Sequence, residues 1–493
     1  MVHIHDKTQL NSQTGKKRIL LVGAGHCAQL VIEDVAKNNA DLEIIGLVDD
    51  NPSLKKEKIG GKDVLGTTTD IPEIASNYAI DEIMITMPSV TGELLMRIVD
   101  ICRATKKPIK IFPAVFDIME RIDEQFLPTG NTSRTVNVLK GKAREIRDED
   151  FIKRTPPVLN IEKIKRIVGE SNVLILGAAG SIGKSIVKEL VRMTPKKLIL
   201  LDINECGIFN LSQRYKEKWI ESVIGDIRDE KKMEFIIKKE RPDIILHAAA
   251  YKHVPLMERY PEEAVKTNTI GTWNLLKLAH TYACKNFIFI STDKAVYPAG
   301  IMGMTKRVGE MIAQHMPKEK TKYSIVRFGN VVGSSGSLFR IWNKQIKHGK
   351  IDVTNPAMTR YFMSIQEAAM LTLETLSLNH KSNLYIFDMG EPINIGNLAK
   401  LFIKLKGHSE NEIAINIIGM REGEKMHERL YEDGEELEKT ANQRIFAIRS
   451  KELKKDDEFF QRIEQLKQEA ENVERENIYK LLQEIIHNGD PTL

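Results

Sequence analysis

At 493 residues the chain is too long for one ordinary hydrophobic core and calls for two or three domains. Apolar content of 42% and charged content of 29% are those of a water-soluble globular protein. The formal net charge of +5 is small for this length, and no basic stripe interleaved with aromatics occurs, so nothing demands nucleic acid as a partner.

Residues 1–17 form a polar tail without the basic-then-apolar layout of a signal peptide. No run of about 18 apolar residues occurs, so no membrane span is expected and the expected location is the cytoplasm. Cys27, Cys102, Cys206 and Cys284 are scattered and form no C-x-x-C pair. They read as reduced intracellular thiols, with no disulfide framework and no metal site.

The first structured stretch opens with an apolar strand at Arg18–Val22, a turn through Gly23-Ala24-Gly25 and a helix from Cys27. Strands at Glu43–Val48, Glu82–Thr86 and Ile109–Phe112 alternate with helical segments. That rhythm predicts a small Rossmann-like domain over 18–115 with a parallel sheet. Residues 116–169 read as a polar connector, with a short strand at Thr135–Leu139 and a helix near Ile161–Val168.

A second opening follows at Val173–Gly177, with further strands at Lys197–Asp202, Ser222–Asp226, Asp243–His247, Asn286–Ser291 and Tyr323–Phe328. The expected fold is therefore α/β, with two doubly wound parallel-sheet domains in tandem. The second, 170–450, carries a smaller substrate lobe built after Asn330, with strands at Leu384–Asp388 and Ala414–Ile418. Residues 451–493 are charged and helical. Phe459, Ile463, Leu466, Ala470 and Val473 fall at spacings of three and four, predicting one apolar helix face.

Gly177-x-x-Gly180-x-x-Gly183 lies between a strand and a helix, the context a dinucleotide loop requires. The first glycine permits the turn, the second lets backbone approach a pyrophosphate, and the third lets helix and sheet pack. The helix N-terminus then offers free N–H groups to phosphate. Asp202, at the tip of the next strand, is placed for ribose hydroxyls, and Asp226 for the adenine edge. With no arginine in Ile203-Asn204-Glu205, Asp202 favours NAD over NADP. The earlier Gly23-x-Gly25-x-x-Ala28 loop, with Asp49 and Asp50, repeats the pattern; it reads either as a nucleotide site or as a structural or regulatory domain.

After Phe287–Ile290 come Ser291-Thr292-Asp293-Lys294 and then Met302-x-x-x-Lys306. These resemble the strand-end Ser/Thr and Y-x-x-x-K helix of short-chain dehydrogenases, with methionine where the phenol should stand. Met302 cannot move a proton, and Tyr297, before Pro298, lies in a loop. The adjacent Asp293 and Lys294 suggest compensation: an acid and a base for eliminating water.

The second half resembles the long-form UDP-N-acetylglucosamine 4,6-dehydratases of polysaccharide biosynthesis, within the extended short-chain dehydrogenase/reductases. The likeness rests on GAAGSIG (177–183), HAAAYKHVPLME (247–258), STDKAV (291–296), MGMTK (302–306), RFGNVVGSSGS (327–337), MTRYFM (358–363) and REGEK (421–425). It implies NAD as cofactor, held by Gly177, Gly180, Ser181, Ile182, Gly183, Asp202, Asp226, Ile227, Ala248 and Ala249, with Lys306 on the nicotinamide ribose. It implies that Thr292 meets the C4 hydroxyl, Asp293 is the acid for the C6 hydroxyl and Lys294 the C5 base. Met302 matches the methionine form of the family. Lys252, Asn330, Arg360, Arg421 and Glu424 match positions near the UDP-sugar.

The expected reaction is C4 oxidation, loss of water across C5–C6 and hydride return to C6, giving UDP-2-acetamido-2,6-dideoxy-4-hexulose for a surface polysaccharide or glycan. The long forms usually begin with membrane-spanning helices. Their lack here implies a truncated chain, lying at the inner face of the membrane in its full form, or a soluble variant. A homo-oligomer is expected. Two other readings stay open: a UDP-sugar 4-epimerase or C4 dehydrogenase, and a non-catalytic NAD-binding regulator.

Overall fold

The computed structural model describes residues 16–38, 41–55, 57–87, 92–112, 157–449 and 457–489; the strand expected at Thr135–Leu139 lies outside them. The chain divides into two compact units, residues 1–156 and 157–493. Among the described residues no helix is long and apolar enough to cross a membrane.

The first unit holds β1 (Lys17–Val22), β2 (Leu42–Val48), β3 (Lys58–Ile59), β4 (Lys62–Gly66), β5 (Glu82–Ile85) and β6 (Ile109–Ile111). They form one sheet in the order β3-β4-β2-β1-β5-β6. Every pair is parallel except the β3–β4 hairpin, which the sequence reading left out. Ile19, Leu21, Val31, Leu47 and Met84 pack into its core. Buried Glu82 is tolerated because Lys17 and Lys110 reach its carboxylate at 2.6 and 3.1 Å.

The second unit is built on β7 (Asn172–Leu176), β8 (Lys197–Asp202), β9 (Ile220–Ile224), β10 (Ile244–His247), β11 (Asn286–Ile290) and β12 (Lys322–Arg327). After these come β13 (Asn330–Val332), β14 (Lys350–Val353), β15 (Thr359–Arg360), β16 (Phe362–Ser364), β17 (Leu384–Phe387), β18 (Ile393–Asn394), β19 (Ala414–Ile417), β20 (Glu436–Lys439) and β21 (Ile445–Arg449). The main sheet has nine strands in the order β20-β21-β17-β12-β11-β10-β7-β8-β9. Two features correct the sequence reading. The β9 strand ends at Ile224, so Asp226 lies in the loop beyond it. The Leu384–Phe387 strand belongs to the central sheet, extended by the antiparallel β21 and β20, and not to a separate lobe. Three two-stranded pairs, β13–β16, β14–β19 and β15–β18, form the smaller region.

Alternating side chains of each central strand serve two cores. Phe287 and Phe289 of β11 face one, with the helices Thr272–Thr281 and Ile301–His315; Ile288 faces the other, with Ser181–Met193 and Ile365–Glu374. A sheet covered on both faces needs near-continuous apolar strands, which is why these segments were legible. The carboxyl-terminal helices Asp457–Asn472 and Arg475–Gly489 also pack here: Phe459, Ile463, Leu466 and Ala470 are buried in the first of these cores. Val473 does not join that stripe. It is 47% exposed and sits at φ +63° beyond the helix end.

Candidate functional site

The turn after β7 fixes the first half of the site. Gly177 has φ +82°, and a Cβ there would stand 2.7 Å from the Ala249 nitrogen; at Gly183 it would stand 2.0 Å from the Gly177 oxygen. Neither position admits a side chain. Asp202 Oδ2 accepts from Ala179 N at 2.9 Å and its Oδ1 from Asn204 N at 2.9 Å, so the carboxylate stands beside the glycine turn. Gly177, Gly180, Ser181, Asp202, Asp226, Ile227, Ala248 and Ala249 line one cleft of about 580 Å³. Ile182 and Gly183 are not among the residues that line it, and Gly183 is buried. Asp226 is occupied: Arg228 donates to both its oxygens, at 3.1 and 2.8 Å. Burial raises the Asp226 pKa, but Arg228 outweighs it and holds the carboxyl below its ordinary value.

The second half sits at the end of β11. Thr292 caps the single turn Asp293–Ala295 and donates through Oγ1 to Asp293 Oδ1 at 2.8 Å. Lys294 Nζ donates to the same oxygen at 2.9 Å and to Asn330 Oδ1 at 3.0 Å. Asp293 is 0% exposed, and its other oxygen, Oδ2, has no partner. One oxygen therefore carries two hydrogen bonds while a buried one carries none, an arrangement that costs free energy unless a ligand completes it. Burial pushes the Lys294 ammonium down, but the Asp293 and Glu428 carboxylates outweigh it and hold its pKa above the ordinary value. Lys294 thus rests as an ammonium.

The helix Ile301–His315 packs its start against that turn, since a Cβ on Gly303 would stand 2.3 Å from the Lys294 oxygen. Met302 is buried at 4% exposure and offers no titratable group. Tyr297 does not replace it: it stands at φ +43°, with its hydroxyl accepting from Asp433 N at 2.6 Å. One turn along the helix, Lys306 Nζ donates to Ile290 O at 2.6 Å and lies 3.9 Å from the Phe289 ring centroid. Burial, only partly opposed by Glu310, pushes the Lys306 pKa down to about 7.

The remaining sequence candidates divide. Lys252 Nζ donates to Ser334 Oγ at 3.3 Å, and burial, followed by Lys294 and Arg340, lowers its pKa. Arg360 is buried and spent on the fold: it donates to the carbonyls of Thr359, Lys425 and Met426. Arg421 and Glu424 share a turn, where Glu424 Oε2 accepts from Arg421 N at 3.4 Å; among the described residues neither touches Asp293 or Lys294.

Sequence reasoning missed the buried charges beneath this surface. Ser291 Oγ donates to Glu310 Oε1 at 2.5 Å, and Arg327, fully buried, bridges Glu310 at 2.7 Å to Glu435 at 3.1 Å. Arg307 reaches Glu432 at 2.9 Å. These pairs tie the end of β11 and the Lys306 helix to the 432–435 turn. Asn268, in a π-helical stretch at Val265–Gly271, clasps Tyr251 N and O at 2.9 Å each and fixes the loop that carries Lys252. Glu428 was missed as well, although it is buried and holds Lys425 at 2.9 Å.

Residues 173–450 match the family described as polysaccharide biosynthesis protein, and residues 3–113 match a CoA-binding domain. The chain is 38% identical over 439 residues to a probable polysaccharide biosynthesis protein, EpsC, of Bacillus subtilis, covering 86% of this chain and 71% of that protein. It is 33% identical over 264 residues to a UDP-N-acetylglucosamine 4,6-dehydratase (inverting) of Campylobacter jejuni, covering 52% of this chain and 76% of that one. At the same 33%, over 274 residues, it resembles a UDP-glucose 4-epimerase of Rickettsia bellii, covering 53% and 77%.

Proposed function

This chain belongs to the polysaccharide biosynthesis protein family, and from that premise we propose that it is an NAD-dependent 4,6-dehydratase of UDP-N-acetylglucosamine acting in the cytoplasm. The observation that carries the reading is the pair at the end of β11: an unsatisfied buried Asp293 oxygen beside Lys294 at 2.9 Å. Oxidation at C4 alone needs no second acid and base. Elimination of water across C5–C6 needs both. A 4-epimerase or C4 dehydrogenase, which the Rickettsia relative would suggest, leaves that pair without a task.

The residues present fit NAD. Gly177 and Gly183 allow the tight turn that sets Gly180 and Ser181 on the cleft where a pyrophosphate would lie, and Asp202 would meet a ribose diol and repel a 2′-phosphate. When bound, NAD accepts a hydride from C4 of the sugar and gives it back at C6. Lys306 would hold the nicotinamide ribose.

Thr292 takes the place of the missing phenol. Its hydroxyl accepts the C4 proton while passing its own to Asp293, along the 2.8 Å bond already present. Asp293 becomes a neutral acid, and the largest support for the Lys294 ammonium disappears. Burial then drives that proton off to solvent, which the 23% exposed lysine side chain can reach. Lys294 now takes the C5 proton, Asp293 protonates the departing C6 hydroxyl, and water leaves. Lys294 returns its proton to C5 when C6 is reduced, and takes one back from solvent to restore the ammonium beside the Asp293 carboxylate. Asn330 orients the lysine throughout, and Lys252 would serve the phosphates of the substrate.

Mass spectrometry of the product from UDP-N-acetylglucosamine tests this reading. Loss of one water is expected; an isomer of unchanged mass would move the epimerase ahead.

A further inference from the structure

Two cations line the glycine-loop cleft without a carboxylate partner among the described residues: Lys184 and Arg340. Lys184 is on the helix Ser181–Met193, and Arg340 is on Leu338–Gln345, an element the dinucleotide fingerprint does not include. The loop 333–337 leads into the helix that carries Arg340. Ser335 N donates to Ser181 Oγ at 2.9 Å, a direct bond between this loop and the glycine turn. The loop is held from below as well. Ser334 Oγ donates to Val331 O at 2.8 Å and accepts from Lys252, and a Cβ on Gly336 would stand 2.3 Å from His253 Cε1.

We propose that residues 333–340 form a strap tied to the glycine turn, and that Arg340 and Lys184 neutralise the cofactor's pyrophosphate beneath it. The inference rests on the NAD reading above and adds two residues and a purpose to it. Since Ser181 Oγ accepts from Ser335, its own proton is free to be donated to a phosphate oxygen. Two cations without a carboxylate partner, on a cleft that also holds the glycine turn at a helix N-terminus, call for a doubly charged bridging group. The strap suits an enzyme that regenerates its cofactor in every turnover: release of NAD gains such an enzyme nothing, so binding strength can be spent on retention.

The test is the release rate of bound NAD, chased with excess labelled NAD, from the wild type, Arg340→Gln, Lys184→Gln and the double variant. Each single variant should release NAD about fivefold faster, the scale of one partly screened charge contact. The double variant should release it about 25-fold faster if the two act independently. Salt should speed release from the wild type more steeply than from the double variant, a dependence that loss of fold would not mimic. Matching thermal unfolding curves establish that the variants are folded. A double variant releasing NAD at the wild-type rate, with the same salt slope, overturns the strap alone. A wild-type protein that neither carries nor takes up NAD overturns the cofactor reading itself.

Discussion

Replacing Lys294 with methionine separates the first step of the proposed reaction from the second. The substitution keeps much of the side chain's length and apolar stem but removes the group 2.9 Å from Asp293 Oδ1 and 3.0 Å from Asn330 Oδ1. The relay from Thr292 to Asp293 survives, so C4 oxidation continues. No group remains to take the C5 proton. Loss of a positioned base typically costs about 10²–10⁴-fold, equivalent to about 3–5 kcal/mol in the barrier. Asp293, buried and stripped of its partner, should also cost about 3 kcal/mol of folding stability, the low end for a broken buried pair, because the lysine is partly exposed. The assay follows NADH absorbance, product formation and solvent deuterium at C5 in a single turnover. NADH should build up to one equivalent per site, with no product and no deuterium. Near-normal turnover, or deuterium appearing at C5, would refute the assignment of Lys294 as the base.

Asp293→Asn should block the same reaction earlier: with no carboxylate to receive the proton from Thr292, NADH formation itself should slow about 10²-fold or more, and normal NADH formation would remove the relay. Met302→Leu should leave turnover within about threefold of wild type and cost under about 1.5 kcal/mol, since Met302 fills space and moves no proton. Lys306 gives a pH signature. Its folded pKa of about 7 lies below the unfolded 10.5, so the unfolded chain binds the extra proton between those values. The penalty is full below pH 7 and is relieved as pH rises toward 10.5; in urea unfolding the wild type should therefore gain stability relative to Lys306→Met across that window, and a falling difference would contradict the burial of a neutral lysine.

Much of this fold was readable because buried parallel strands leave a plain trace: NVLIL, KLILLD and NFIFI admit almost no polar residue. The elements that escaped notice lie where that trace fades. The β20 strand is ELEK, charged because it forms the sheet edge, and β3 is only two residues before a Gly60-Gly61 turn. The β9 strand, IESVI, mixes polar and apolar residues and was placed two positions late. The site shows the same division. Thr292, Asp293 and Lys294 are consecutive, so their partnership could be read along the chain. Arg307, Glu310, Arg327, Glu432 and Glu435 are brought together by the fold, and little in their spacing announces it. Arg327 did leave a signal, a charge ending the buried run KYSIVR. A charge there must be paired within the interior, and Glu310 is the group that pairs it.

The two sheets make one device twice and use it differently. In the first, Asp49 Oδ2 accepts from Ala24 N at 2.7 Å and its Oδ1 from Asn51 N at 2.9 Å. In the second, Asp202 makes the same two bonds to Ala179 and Asn204. An acid at the second strand's tip, bonded to the glycine turn, is therefore a property of the local strand–turn–helix geometry and does not by itself signify catalysis. The distinction lies at neighbouring strand ends. Thr86, after β5, turns its hydroxyl inward to Val22 O and Gly23 O at 3.0 and 2.8 Å, and β6 runs into buried Phe112. Among the described residues neither places a titratable group there. In the second unit β11 ends in Thr292-Asp293-Lys294, with the buried carboxylate oxygen unsatisfied. A strand end suits chemistry when it leaves a polar group in need of a partner, and among the described residues the end of β11 does so while those of β5 and β6 do not.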